Sequence, residues 1–320
     1  QEALQTANAR VLSPAEVPLL PDAERARRTQ LLALVLGLCA GVGLVFVIDL
    51  LNNTFRAPAQ LEELSGQSYL GAIPSVGRRM HRKDVIAQFK ANPKSALAEA
   101  VRSLRTSILF SRVDNPPKTV MFTSSVPREG KSTTSMLVAM TSRQMGKSAI
   151  IVDCDLRLPS LAQLLPEDDG EAGLLSVLEG TAKLEDAIYR DKDTGLDVLM
   201  TRPSEPRSSV NAADILASKK FNDILKELQS VYDLVILDTP PTLVVADARI
   251  LARQVDAVVY VVAWDRTPRG AVLEGLKELK SVDAPIVGVC FTMLNEGRAA
   301  RYSYEGYSYY RGKYRDYYVS

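Results

Sequence analysis

The sequence has little histidine, cysteine and net charge, and each shortage argues against a class of function. His81 is the single histidine of the 320 residues, so a Ser-His-Asp hydrolase triad is not expected. The three cysteines, at 39, 154 and 290, lie far apart without CxxC spacing, which favours buried thiols over disulfides or metal ligands. A net charge of +1 gives no general indication of nucleic-acid binding.

Aliphatic residues are also scarce in the last twenty positions, 301–320, where none precedes Val319. This tail nevertheless holds eight of the chain's twelve tyrosines. They are Tyr302, Tyr304, Tyr307, Tyr309, Tyr310, Tyr314, Tyr317 and Tyr318. Two interpretations are open: the rings stack on nucleic acid beside the tail's basic residues, or the phenol oxygens are substrates of an enzyme. Either one suits a segment that is too poor in apolar residues to form a core.

A long apolar run covers residues 31–51 and carries no charge before Asp49. At about 1.5 Å per residue it is roughly as long as a bilayer is thick, which predicts a transmembrane helix over 29–51. The alternative is a buried core helix. Residues 1–28 are predicted as a proline-rich end segment, and residues 297–320 as a tyrosine-rich tail. Residues 52–90 are predicted as a connector with one short helix around 59–65, and its basic residues either touch anionic lipid or are simply solvated.

Short runs rich in valine and isoleucine alternate with amphipathic stretches from Lys118 onward. This alternation predicts an α/β fold with a mostly parallel sheet covered by helices, which we assign to residues 91–296. The first strand leads into "SSVPREGKSTT", residues 124–134, which matches the P-loop pattern except that serine replaces the first glycine. The fold class is therefore a P-loop NTPase preceded by one transmembrane helix.

The loop residues are candidates for phosphate binding through backbone N–H groups at a helix N-terminus. The lysine can neutralise phosphate charge, and the hydroxyl that follows it can bind Mg²⁺. These candidates are Ser125, Val126, Pro127, Arg128, Glu129, Gly130, Lys131, Ser132 and Thr133.

Three aspartates follow apolar strands and are candidates for metal binding or catalysis. Asp153 and Asp155 end the run "AIIVDCD", and Asp238 ends "DLVILD". Parallel strands bring their carboxyl ends to one edge of a sheet, where ligands bind. Carboxylates there can hold hydrated Mg²⁺ or accept a proton from a hydroxyl, although strand-end solvation would explain them equally simply. The sequence lacks the N-K-x-D guanine-reading motif, which favours ATP over GTP.

The chain resembles the bacterial tyrosine kinases of the polysaccharide co-polymerase type. Residues 124–134 are similar to that family's Walker A motif, "IIVDCDLRLPS" to its Walker A′ motif, and "VILDTPP" to its Walker B motif. The Walker A′ match implies that Arg157 contacts the nucleotide. The tyrosine cluster completes the match. Glu99, Arg102 and Arg105 match an E-x-x-R-x-x-R helix that contacts a neighbouring subunit in the family; a solvated helix face is the alternative.

The resemblance implies an ATP- and Mg²⁺-dependent protein-tyrosine kinase that phosphorylates the tails of its neighbours in an oligomeric ring. Lys131, Asp153, Asp155 and Asp238 would be catalytic, and Ser132 would join the aspartates at the metal. The implied partners are polysaccharide export and polymerisation machinery, a cognate tyrosine phosphatase and membrane lipid, but not nucleic acid. The kinase domain and the connector would be cytoplasmic at the inner membrane, and residues 1–28 would be periplasmic. The arginines before the apolar run favour the opposite orientation.

The sequence departs from the family pattern at several positions. Arg128 stands where the family's loop often has a small residue, and Thr292 stands where an asparagine is usual. Val126 occupies the position where ParA/MinD-like ATPases have a lysine. A membrane-tethered ATPase switch of that type, whose tail binds a partner, is the alternative function.

Overall fold

The computed structural model describes residues 23–50, 53–77, 81–112, 114–165, 170, 172–202, 205 and 212–299. It divides the chain into two units, Gln1–Asn52 and Asn53–Ser320. The proline-rich segment before residue 23 and all eight tail tyrosines lie outside the described residues, so the predictions made for them stay predictions.

In the first unit, helix α1 spans Ala23–Leu50. Its segment Glu24–Val47 is 24 residues long, is apolar enough to cross a membrane, and has none of its most apolar window buried. The predicted long apolar helix is therefore confirmed. Its exposed leucine and valine side chains do not support the alternative of a core helix.

The second unit is built on one eight-stranded sheet with the spatial order β1-β8-β7-β2-β6-β3-β5-β4. Every neighbouring pair is parallel except β4 and β5. The strands are β1 Tyr69–Pro74, β2 Thr119–Ser124, β3 Ala149–Asp153, β4 Ile188–Arg190, β5 Asp197–Leu199, β6 Leu234–Asp238, β7 Ala257–Ala263 and β8 Ile286–Leu294. This sheet confirms the predicted fold class.

Helices cover both faces of the sheet. They are α2 Pro58–Ser65, α3 Arg82–Ala91, α4 Ala96–Leu109, α5 Lys131–Gln144, α6 Leu174–Glu179, α7 Leu184–Ala187, α8 Ala212–Leu216, α9 Lys219–Val231, α10 Asp247–Ala252, α11 Arg269–Lys280 and α12 Glu296–Ala299. Successive strand residues point to opposite faces, so Met121 packs in the core under α9 to α11, whereas Val120 and Phe122 pack in the core under α3 to α5. Both faces of the central strands are buried, which explains their nearly continuous apolar sequence.

The segment predicted as a connector is part of the α/β unit. The predicted short helix is confirmed as α2, but Phe55 and Leu61 are almost fully buried in the core, and β1 pairs in parallel with β8. The unit therefore begins near residue 53 rather than 91. Sequence periodicity missed β1 because it is short, contains Gly71 and Pro74, and pairs with a strand more than 200 residues later.

Candidate active site

The loop after β2 turns sharply into α5 at Gly130. This residue has φ +88°, a left-handed conformation that glycine adopts without steric cost. A β-carbon there would also lie 3.3 Å from Oγ1 of Thr292. Helix α5 begins at the next residue, Lys131. The backbone N–H groups of its first turn lack helical acceptors, so they form an anion-binding end directly beside the lysine.

Buried side chains fix the shape of this loop. The carboxylate of Glu129 accepts hydrogen bonds from the N–H of Val126 at 2.8 Å, from the N–H of Ala263 at 3.3 Å and from the hydroxyl of Thr267. The hydroxyl of Thr292 donates to the carbonyl of Glu129. Burial raises the pKa of the Glu129 carboxyl despite these donors. Glu129 therefore stabilises the loop by linking it to the end of β7 and the segment after it through buried hydrogen bonds.

The serine that replaces the first P-loop glycine is also structural. Ser125 is fully buried, and its Oγ accepts a hydrogen bond of 2.9 Å from the phenol of Tyr260 on β7. This contact anchors the start of the loop to the neighbouring strand.

The three predicted aspartates meet where β3 and β6 end. Asp153 and Asp238 are directly opposite each other in the parallel register of these strands. Asp153 is held firmly, because its Oδ2 accepts hydrogen bonds from the N–H groups of Ser160 and Leu161, each 3.1 Å long. Oδ1 of Asp155 accepts one from the N–H of Leu158 at 3.1 Å. The sequence prediction that these carboxylates converge is thus confirmed by the geometry.

One lysine faces all three carboxylates. Nζ of Lys131 lies 3.4 Å from Oδ2 of Asp155 and 3.6 Å from Oδ1 of Asp238. Burial and the charge of Asp238 raise the pKa of Asp153 to about 8, and burial also raises the pKa of Asp238. Burial alone would lower the pKa of Lys131, but the three carboxylates raise it above its usual value. The site is therefore short of positive charge.

Asp238 shows where a further cation fits. Both of its carboxylate oxygens are buried, and neither has a hydrogen-bond partner among the described residues. Buried carboxylates without donors are costly unless a cation balances them. No group of three or more His, Cys, Asp or Glu side chains in the described ranges forms a metal cluster. The arrangement instead suits Mg²⁺, which keeps several waters and takes one or two carboxylates from the protein.

A cleft of about 430 Å³ opens above this cluster. Its walls come from the loop, the start of α5, the segment after β3 and the segment after β6. Of the predicted site residues, those that line it are Pro127, Arg128, Gly130, Lys131, Ser132, Thr133, Asp155 and Arg157. Ser125, Val126 and Glu129 do not line it, and Asp153 and Asp238 lie fully buried in the cluster next to its floor. The cleft is large enough for a nucleotide phosphate chain and opens to solvent for a second substrate.

Arg157, expected to contact the nucleotide, is held by a protein carboxylate. Its Nε lies 3.1 Å from Oδ2 of Asp247, and the resulting ion pair raises the pKa of the guanidinium. Arg157 still lines the cleft, but Asp247 fixes its orientation.

Sequence reasoning missed several residues that support the site. Ser160 donates a 2.8 Å hydrogen bond to Oγ of Ser132 and caps Asp153, although it belongs to the conspicuous "DLRLPS" stretch. Tyr260, Thr267 and Thr292 come from elements more than 130 residues after the loop, and no local pattern links them to it.

The expected oligomer-contact helix is α4, and its three residues do not share one exposed face. Arg105 is only 7% exposed and donates to Oγ of Ser142 at 2.9 Å and to Sδ of Met145 within the same chain. Glu99 and Arg102 form a partly exposed ion pair. Because a spacing of three falls short of the 3.6-residue turn, the side chains of Glu99 and Arg105, six residues apart, point in directions that differ by roughly 120° around the helix axis. The expectation that Arg105 lies on an exposed face with the other two residues is therefore wrong. Glu99 and Arg102 remain candidates for a contact between subunits.

This placement yields a prediction about stability. Arg105→Ala should lower the free energy of unfolding by about 1–3 kcal/mol, because Ser142 loses the hydrogen bond from Arg105 and a buried side chain is removed. Arg102→Ala should change it by less than about 1 kcal/mol, as expected for an exposed ion pair. Denaturant unfolding of both variants measures the difference. Equal stability of the two would contradict the internal role assigned to Arg105.

Comparison with known proteins places this site in a family. A protein-family model that is described as an AAA domain matches residues 128–282 of this chain. Tyrosine-protein kinase YwqD of Bacillus subtilis is 36% identical over 230 residues, which cover 72% of this chain and 94% of that protein. The structure of the kinase domain of Escherichia coli tyrosine kinase ETK matches with a TM-score of 0.69 and 28% identity, over 79% of this chain and 100% of that domain.

This chain matches a longer relative along the whole length of the chain. The succinoglycan biosynthesis transport protein ExoP of Rhizobium meliloti is 27% identical over 346 residues, covering 100% of this chain. The chain spans 44% of ExoP, so it corresponds to less than half of that relative.

Proposed function

Because the chain belongs to the bacterial tyrosine-protein kinases and is a protein-tyrosine kinase by that membership, we propose that it binds ATP with Mg²⁺ in the cleft and phosphorylates tyrosines of the tail 301–320. The observation that carries this proposal is the buried Asp238, whose two oxygens lack hydrogen-bond donors beside Lys131 and a helix N-terminus. An anion-binding loop next to a carboxylate in need of a cation suits a metal-bound polyphosphate.

Bound ATP with Mg²⁺ would supply the transferable phosphoryl group and the divalent charge that the site requires. Ser132 and Asp238 would hold the metal, and Lys131 would neutralise charge on the outer phosphates. Asp155 lines the cleft, whereas Asp153 is capped by backbone N–H groups and buried. Asp155 is therefore the better placed of the two to orient the phenol and accept its proton.

The tail suits the role of phosphoacceptor. A tyrosine has a pKa of about 10 and is mostly protonated at neutral pH, so a nearby carboxylate assists its attack. Attachment to a neighbouring subunit would raise the local concentration of acceptor phenols. Each phosphate adds roughly −1.5 to −2 charges, so extensive modification would reverse the sign of the tail and loosen the assembly.

Helix α1 supports a membrane anchor, with the catalytic unit on the cytoplasmic side where ATP is available and residues 1–28 on the opposite side. The name of ExoP, which matches this chain along the chain's whole length, supports a place in the synthesis and transport of an extracellular polysaccharide. We further propose a homo-oligomeric ring, working with polysaccharide export machinery, that a cognate tyrosine phosphatase resets.

Intact-mass measurement of the detergent-solubilised chain, before and after incubation with ATP and Mg²⁺, tests this function. We expect several phosphoryl additions that peptide mapping assigns to the tail. ATP hydrolysis without phosphotyrosine would instead indicate the ATPase switch, and phosphates found mainly on Tyr69, Tyr189, Tyr232 or Tyr260 would refute the role of the tail.

Replacing all eight tail tyrosines by phenylalanine separates an acceptor from a stacking surface. Phenylalanine keeps the ring, so a stacking tail should still work, whereas an acceptor tail should lose nearly all phosphotyrosine while nucleotide binding remains. We also expect this variant to stay assembled in ATP while the wild type dissociates. Sedimentation with and without ATP checks the assembly, and retained dissociation of the variant would contradict the feedback.

A further inference from the structure

Resting on the proposed function, we propose that Arg128 is a catalytic arginine supplied by the phosphate loop itself, whose guanidinium stabilises the phosphoryl group during its transfer. The first observation is its position. Arg128 lines the cleft together with Lys131 and Asp155, and its side chain is exposed to solvent there.

The second observation is the backbone of Arg128. Its φ is +68°, a left-handed conformation that disfavours a residue with a β-carbon and that glycine or asparagine adopts most easily. Among the residues described, only Arg128, Asp265, Asp283 and Met293 combine a side chain with positive φ. Loop geometry alone would favour glycine here, so the long cationic side chain stands at this position despite the backbone preference.

The third observation is how the other cations of the cleft are used. Lys131 is balanced by Asp155 and Asp238, and Arg157 is paired with Asp247. Arg128 has no ion pair within the described ranges, and the same is true of Arg82, which lines the cleft from the start of α3. Arg128 is therefore a guanidinium in the phosphate-binding loop that forms no ion pair with a carboxylate of the described residues.

The chemistry of phosphoryl transfer uses such a group. As the phenol oxygen bonds to phosphorus and the bond to the leaving oxygen of ADP breaks, the phenol proton passes to Asp155 and negative charge spreads over the equatorial phosphoryl oxygens. A planar guanidinium can donate two hydrogen bonds to these oxygens at once. Arginines that act this way come from another protein in some phosphotransfer enzymes and from the same chain in others. Here the loop would provide its own.

The test compares Arg128→Asn and Arg128→Lys with wild type in the full detergent-solubilised chain. Asparagine removes the charge but suits the left-handed backbone, and lysine restores the charge without the planar fork. Arg253→Ala, at the exposed C-terminal end of α10 outside the cleft, is the matched control. The measurements are kcat and KM for phosphotyrosine formation, the Kd for ADP with Mg²⁺, and the Tm.

We expect Arg128→Asn to reduce kcat on the order of 100-fold while the Kd for ADP changes only a few-fold and Tm does not fall. Arg128→Lys should recover part of kcat, and Arg253→Ala should match wild type. An unchanged kcat in Arg128→Asn, or a loss of ADP affinity as large as the loss of rate, overturns the proposal while leaving the kinase function intact. A wild type that forms no phosphotyrosine overturns both.

Discussion

Asp238→Asn is expected to raise the thermal stability of the metal-free protein and, at the same time, to reduce phosphotyrosine formation by at least about 100-fold. Neither oxygen of Asp238 has a hydrogen-bond donor among the described residues, so the amide sacrifices no such bond. The substitution also removes a buried charge that faces Asp153 across the two strands. Lys131 loses its ion pair with Asp238 but keeps the one with Asp155. A gain of about 1–2 kcal/mol, or roughly 2–8 °C in Tm, is expected in EDTA.

The pH dependence follows from the raised pKa of Asp238. The folded state holds the proton more tightly than the unfolded chain, so the ionised carboxylate destabilises the metal-free fold above its folded pKa. This penalty disappears as the pH falls toward the unfolded value. The advantage of the asparagine variant in EDTA should therefore be largest at high pH and vanish in acid.

Thermal unfolding in EDTA and in ADP with Mg²⁺ measures both effects. Wild type should gain stability with the ligand, and Asp238→Asn should gain little. Asp223→Asn, on the exposed side of α9, serves as a control that changes the same formal charge away from the site. A variant that melts below wild type in EDTA would show that Asp238 is satisfied without a cation.

Lys131→Met is expected to abolish phosphotyrosine formation and to shift stability in the opposite direction. The lysine is the ammonium closest to Asp155 and Asp238, and removing it leaves these buried carboxylates without their counter-ion. We expect a loss of about 2 kcal/mol or more in EDTA, or roughly 4 °C or more in Tm. The loss should shrink as the pH falls, because the uncompensated carboxylates then take up protons.

Combining Lys131→Met with Asp238→Asn tests whether the two changes in thermal stability have a common origin. The double variant should regain part of the lost stability without regaining activity, because the charges interact directly. Lys147→Met, which removes an exposed ion pair with Asp233, should have little effect on either property. Phosphotyrosine formation by Lys131→Met at a rate near that of wild type would refute the role of the loop.

The parts of the site that the sequence predicted are those encoded by local patterns. A strand, a turn and a helix N-terminus lie within residues 119–144, and apolar strands ending in Asp153 and Asp238 reach the same sheet edge in any parallel arrangement. These residues could be found without knowing which strands are neighbours.

Other features depend on tertiary contacts that no short window contains. Thr292 and Thr267 reach the loop only because β7 lies beside β2 in the sheet and β8 lies beside β7, although both strands are far from β2 in sequence. Arg105 was expected at a subunit contact because it matches the family's E-x-x-R-x-x-R helix, and only the packing of α4 against α5 shows that it points inward. The strand β1 was missed for the same reason, since its partner β8 lies more than 200 residues later in the sequence.

The placement of β1 has a practical consequence for any attempt to isolate the catalytic unit. A fragment beginning at residue 91, where the sequence suggested a boundary, would lack Phe55, Leu61, Leu70 and Ile73 from the core. It would also leave the nine-residue strand β8 as an uncovered sheet edge, with unpaired backbone groups along it. Such long bare edges template aggregation. A soluble fragment should therefore begin at residue 53, so that the first strand of the unit protects the last.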